Sequence, residues 1–170
     1  PKYKAIRLYQ ELLRFHEKDE DRTAFLDADL GRLVFGYNQA VGEEKNQRYK
    51  EALKKWVDRW GDHEISARAG YHWASVLQRE GDLVEAHKLA KQGAQAFPNS
   101  VGGRMCHNLV QEIEAKALNI ETERVWNQPW PTIAISYKNL TEVHFRIVRD
   151  DWVQRLETRN GRPEWIDAND

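Results

Sequence analysis

The sequence predicts an α+β fold in two parts. An α-solenoid of helical hairpins occupies residues 1–116, and an antiparallel β segment that begins a β-sandwich occupies residues 117–170. Three observations carry this expectation. Small residues recur at a spacing of 34 in the first part. Apolar residues there follow a helical period, whereas beyond residue 117 apolar and polar residues alternate as on a half-buried strand. The chain of 170 residues is 41% hydrophobic, enough to bury a core in one ordinary domain or two small ones.

The helices come first. "YKAIRLYQELLRFHEKD" is helical from the outset, "RTAFLDADLGRLVFGYNQA" and "YKEALKKWVDRWGD" form a pair, and Ala67 to Ser100 is a helix–turn–helix of 34 residues. Gly81-Asp82 supplies its turn, where glycine takes a positive φ without steric cost. Ala74, Ala86 and Gly93 sit where two helices cross closely, Pro98 stops the second helix, and Asn99 or Ser100 can cap the next. Ala52 lies 34 residues before Ala86, so the preceding pair is in phase. It is nine residues longer, since Gly31 to Ala52 is 21 residues against 12 from Ala74 to Ala86, and longer helices around "VGEEKN" are expected to absorb them. The final helix is expected over "VGGRMCHNLVQEIEAKAL", with Leu109, Ile113 and Ala117 on one face and the open end of the stack beneath it.

These units resemble the tetratricopeptide repeat, in the small positions just named and in the Leu30-Gly31 pair. Two positions depart from that family: Gly70 stands where it usually has Trp, and Ala90 where an aromatic is common. The resemblance implies a TPR-like α-solenoid whose helix pairs bury their faces only by stacking. The opening helix, with Ala5 and Tyr9 in matching positions, reads as the second helix of an earlier repeat, and the chain as a piece of a longer protein.

The alternating segments follow. "ALNIETERV", "WPTIAISY" and "TEVHFRIVR" each read as a strand, with Ile133, Ile135 and Tyr137 on one face of the second and Val143, Phe145 and Ile147 on one face of the third. The prolines of "NQPWP" separate the first two, and Asn139 in "KNL" tolerates the left-handed conformation of a tight turn. "RNGRP" signals a further turn ahead of a fourth strand at "EWIDA". Such a sheet has one apolar face to cover, so truncation within a β-sandwich is expected.

"PWPTIAISYKNLTEVHFRIVRDDW" resembles the opening strands of the first macroglobulin-type domain in large bacterial alpha-2-macroglobulin-family proteins, through Tyr137, Lys138, Asn139, Phe145 and Arg146. Some members of that family place helical repeats ahead of this domain. The resemblance implies a periplasmic or extracellular peptidase inhibitor in which the helices dock or space. The family's thioester motif, Cys-x-Glu-Gln, is absent, because Cys106 is followed by "HNL". Trapping chemistry is therefore not expected within these residues.

The charge balance excludes some partners. Lys plus Arg is 26 and Asp plus Glu 27, a net charge of -1 with no basic segment of the kind nucleic-acid binding needs. No apolar run reaches the roughly 18 residues of a membrane span. Cys106 is the single cysteine, which excludes an internal disulfide framework, and a buried thiol is expected there rather than a pair with the adjacent His107.

No catalytic constellation is legible, so an enzyme is not expected and no cofactor or metal is implied. His63-Glu64 lacks the second histidine of a zinc-protease helix, since position 67 is Ala. Asp27 and Asp29 face different ways on a helix, Asp150-Asp151 falls at a strand end, and Gly102-Gly103 reads as a helix-start turn rather than a phosphate loop. Asn139-Leu140-Thr141 matches a glycosylation sequon. Trp56, Trp60, Trp73 and Tyr71 recur at helical spacing, as core residues do. What remains is the concave face of the stack, where such solenoids bind peptides or proteins. In the most regular repeat it is expected to expose Arg68, Tyr71, His72, Ser75 and Arg79.

Overall fold

A computed structural model describes residues 2–122 and 132–145. These residues form an α+β fold of six helices and a small two-stranded antiparallel sheet, in the order α1 (Lys2–His16), α2 (Thr23–Gln39), α3 (Lys45–Trp60), α4 (Ile65–Arg79), α5 (Leu83–Ala96), α6 (Val101–Glu114), β1 (Ala117–Glu121) and β2 (Ala134–Lys138). The chain divides into two compact units, residues 1–117 and 118–170.

In the helical unit the expected punctuation falls where the chemistry requires it. Gly81 has φ +88° and ends the α4–α5 turn. The Asp82 carboxylate then accepts the Glu85 N–H and caps α5, while the Ser100 hydroxyl accepts the Gly103 N–H and caps α6. The nine additional residues of the earlier pair are spread along it. α2 runs three residues further past the matched position, its loop to α3 is two residues longer, and α3 starts four residues earlier. All of "VGEE" is therefore loop, and the lengthening of the helices lies on either side of it.

Two cores share α4. Leu26 and Leu30 of α2, Leu53 and Trp56 of α3, and Ile65, Ala69 and Val76 of α4 form the first. Ala74 of α4, Ala86 and Ala90 of α5, and Cys106, Leu109 and Ile113 of α6 form the second. A helix packed on both sides leaves little space for side chains, which is why α4 carries Ala67, Ala69 and Ala74, all buried. The contact with α6 is closer still. A Cβ on Gly102 would run into the Arg68 backbone nitrogen, and one on Gly93 would stand 2.8 Å from Cys106 Sγ. Gly102 is thus a packing glycine as well as a helix-start residue. Neighbouring Gly103 faces the Phe97 carbonyl in the same way.

At the other end, α1 buries no residue; Tyr3, Leu8 and Phe15 are exposed. Tyr9 holds it to α2. Its ring fills the space over Gly31, where a Cβ would lie 3.3 Å from Tyr9 Cε1, and meets Phe35 at 5.8 Å between centroids. The Leu-Gly pair therefore has a local use: leucine enters the core and glycine admits the tyrosine.

Two expectations about the chain beyond α6 are corrected. The last helix stops at Glu114, Ala115 is extended, and Ala117 is exposed as the first residue of β1 instead of extending the apolar face of Leu109 and Ile113. The third strand is also not formed in its described part, since residues 141–145 have no strand pairing. Alternation marks a strand only where a partner strand supplies the hydrogen bonds: β1 is exposed throughout but pairs with β2, whereas residues 141–145 pair with no strand and leave Phe145 62% exposed. The turn itself follows expectation, with Asn139 at φ 54° directly after β2. "NQPWP", Arg146, Ile147, Asp150-Asp151, "RNGRP" and "EWIDA" lie outside the described residues.

Candidate functional site

The five groove residues sit on α4 at the spacing of one helical face, and all five line two adjoining cavities. One, of about 380 Å³, is bounded by Tyr71, His72, Ser75 and Arg79 of α4, by Val34 and Asn38 of α2, and by Tyr49 of α3. The other, of about 400 Å³, is bounded by Arg68 and His72 of α4, the same Val34 and Asn38, and Tyr9 of α1. His72, Val34 and Asn38 form the wall common to both. A larger cavity of about 580 Å³ surrounds the α2–α3 loop and reaches Tyr37 and Tyr49 from the other direction; none of the five groove residues lines it.

What keeps the groove open is aromatic. Tyr37 of α2 stacks on Tyr49 of α3 with ring centroids 4.1 Å apart and planes 8° off parallel. Two rings between the helices replace the small residues that join α4 to α5 and α6. The Tyr37 hydroxyl donates to Asn46 Oδ1 at 3.0 Å, and Lys50 Nζ donates to Glu80 Oε2 at 2.6 Å. That ammonium hydrogen bond holds the Glu80 carboxyl below its usual range.

The two arginines differ. Arg68 is ion-paired with Asp27 of α2. Arg79 lies over the Tyr37 ring at 5.7 Å and donates Nε to the Ser75 carbonyl at 3.1 Å. The Asp27–Arg68 bond joins residues 41 apart in sequence and carries no local signal. It leaves Asp29 with a separate task, accepting from Trp56 Nε1 at 3.0 Å and from Arg32. Neither aspartate has the partner of a general acid or base.

His72 is neutral. Burial first, and then the Arg68 and Arg79 guanidiniums, depress its pKa to about 4. Tyr49, only 6% exposed, has its phenol pushed up to about 12 by burial and by Tyr37, against the pull of Arg79. Its hydroxyl is buried and makes no hydrogen bond among the described residues. Sequence reasoning did not single out Tyr49. The available signal was its place on α3 four residues before Leu53, which marks the face turned into the stack.

The remaining reactive residues are occupied structurally. Cys106 Sγ donates to the Ala67 carbonyl at 3.2 Å, and burial pushes the thiol up to about 11, so it is protonated at neutral pH. His63 Nδ1 accepts the Ile65 N–H at 3.2 Å, next to the start of α4. Among the described residues no three His, Cys, Asp or Glu side chains gather as metal ligands, and no helix is long and apolar enough to cross a membrane. No family model, curated protein or solved structure matches this chain.

Proposed function

We propose that the helical unit is a tetratricopeptide-type scaffold without catalytic activity, and that it binds an extended segment of a protein partner along α4. One observation supports this reading above others. Five α4 residues picked out as a binding face line two adjoining cavities, with residues of α2 and α3 opposite them. The groove has the character of a recognition surface: aromatic walls from Tyr37, Tyr49 and Tyr71, and hydrogen-bonding side chains from Asn38 and Ser75. α4 is 15 residues long, so at about 1.5 Å per residue it offers about 22 Å, room for about seven extended residues.

Panning a phage library of random peptides, each about twelve residues long to exceed that span, tests the reading. Peptides that bind the protein but not its Tyr71→Ala/His72→Ala variant are expected. Enrichment that is indifferent to the double change counts against the groove, provided circular dichroism shows the variant folded.

A second reading places this scaffold ahead of a macroglobulin-type β domain in a peptidase inhibitor of the cell envelope. It is favoured by the antiparallel β1–β2 pair and by β2 ending at Lys138 with Asn139 left-handed after it. The parent sequence tests it: several β-sandwich domains downstream are required, and their absence ends the reading.

A further inference from the structure

Resting on the groove reading above, the geometry points to the chemistry of the ligand: we propose that the cavity between α2, α3 and α4 receives a side-chain carboxylate from the bound segment, gripped by the Arg79 guanidinium and accepting a hydrogen bond from the Tyr49 hydroxyl.

Two independent features lead there. The first is Tyr49. A phenol O–H buried without a partner leaves a donor unsatisfied, which is costly in a protein interior. Tyr49 lines the cavity and is close enough to Arg79 for that guanidinium to act on its titration. The hydroxyl is covered in the unbound protein, so binding displaces the side chains over it, and the entering acceptor then satisfies the donor and meets a cation at the same time. The second is the state of the cations along α4. Arg68 is neutralised by Asp27, and His72 is held neutral, while Arg79 gives one N–H to a backbone carbonyl and rests on an aromatic ring. The remaining guanidinium donors suit a carboxylate, which accepts hydrogen bonds in a planar fork.

Carboxylate is favoured over phosphate by the charge available. A phosphoryl group carries about two negative charges and is normally met by clustered arginines. Among the described residues Arg79 is the cation that lines this cavity without an ion pair; Arg68 is paired with Asp27, His72 is uncharged, and Lys45, 4.6 Å over the Tyr37 ring, lines the larger cavity instead. A side chain is favoured over a chain terminus because the cavity does not close the groove. The adjoining cavity shares Val34, Asn38 and His72 with it, so a bound segment runs on past Arg79 toward Arg68. The Asn38 amide lies on the shared wall, where it can pair with the segment's backbone.

The peptides enriched in the panning experiment supply the probe. They are expected to share an Asp or Glu at one position. Changing that residue to Gln or Asn weakens binding to the wild-type protein about tenfold, the size of one charged hydrogen bond. In the Arg79→Gln protein the same peptide change costs less than about twofold, because the ion pair is already absent, and in Tyr49→Phe it costs less than in the wild type, because the hydroxyl's share is gone. Both variants are first checked by thermal melting, and Tyr49→Phe retains the ring that packs on Tyr37.

Groove-dependent peptides with no acidic residue overturn the proposal and leave the scaffold reading standing. So does a loss caused by amidating the peptide C-terminus instead of altering the side chain, or binding that requires a phosphorylated residue. A peptide change that costs the same in all three proteins also overturns it. If no peptide depends on the groove at all, the scaffold reading falls and takes this inference with it.

Discussion

α4 has two neighbourhoods built to opposite specifications. Toward α5 and α6 the contact is made by Ala74, Ala86, Ala90, Gly93, Gly102 and Cys106, and there is no room for a further methyl at Gly102. Toward α2 and α3 the side chains are leucines, a tryptophan and stacked tyrosines, and two cavities open between the helices. Side-chain size alone decides whether a pair of helices becomes a closed joint or the wall of a groove. Large aromatic residues between α2 and α3 have a structural consequence that the spacing of small residues does not reveal.

The largest expected effect breaks the closed joint. Gly102→Ala places a methyl against the backbone of Arg68, which cannot move without displacing α4. A loss of about 3 kcal/mol in urea unfolding is expected, at the upper end for overpacking. A loss under about 1 kcal/mol would mean that α6 can slide away from α4, and the contrast between the two neighbourhoods would disappear.

The open side is probed by pH. His72 has a folded-state pKa depressed to about 4 from an ordinary value of 6.5. The unfolded chain therefore takes up a proton that the folded chain refuses between these values. The corresponding stability is full above the unfolded pKa and is lost as pH falls toward the folded one. Between about pH 7 and about pH 4 the loss should reach about 2 kcal/mol, and His72→Gln should remove it. If wild type and His72→Gln decline in parallel, His72 is not buried between the two arginines in the way described.

These two residues also mark how far the sequence could be read. The α4–α5 part of the closed joint was legible because its cause is local, whereas the approach of α6 at Gly102, read as a helix-start turn, was not. A glycine, an alanine or a capping serine announces itself by type and spacing, and Ala52, Ala74 and Ala86 placed three helices in phase. The helical spacing of Arg68, Tyr71, His72, Ser75 and Arg79 likewise puts them on one face of α4, which lines the two cavities. The opposite wall was not legible, because the Tyr37–Tyr49 stack and the Asp27–Arg68 pair join distant residues whose types are common on any helix surface. The β segment failed differently. Alternation was read correctly at β1 and β2, but residues 141–145 show that alternation alone does not form a strand where no partner strand pairs with it.

Tyr49 connects the open side to function by a smaller effect of opposite sign. Tyr49→Phe removes a buried hydroxyl with no partner and keeps the stacked ring, so the protein should gain about 1 kcal/mol of stability. A variant that is more stable and binds its acidic peptide less well would identify the hydroxyl as a ligand contact retained against stability. Equal or lower stability would mean that the hydroxyl is already satisfied in the folded protein.

The smallest effect sharpens the comparison within one helix. Gly70 is buried in α4, as Gly102 is buried against it, yet a Cβ built on Gly70 meets nothing within 4 Å outside its own helix. Gly70→Ala should therefore restore helix propensity without a clash and stabilise the protein by about 0.5 to 1 kcal/mol. The two alanine substitutions are chemically identical, so opposite signs can come only from the space around them. If Gly70→Ala also destabilises, α4 is as tightly packed on this flank as against α6. Side-chain size would then no longer explain why a groove opens on one side of the helix and not on the other.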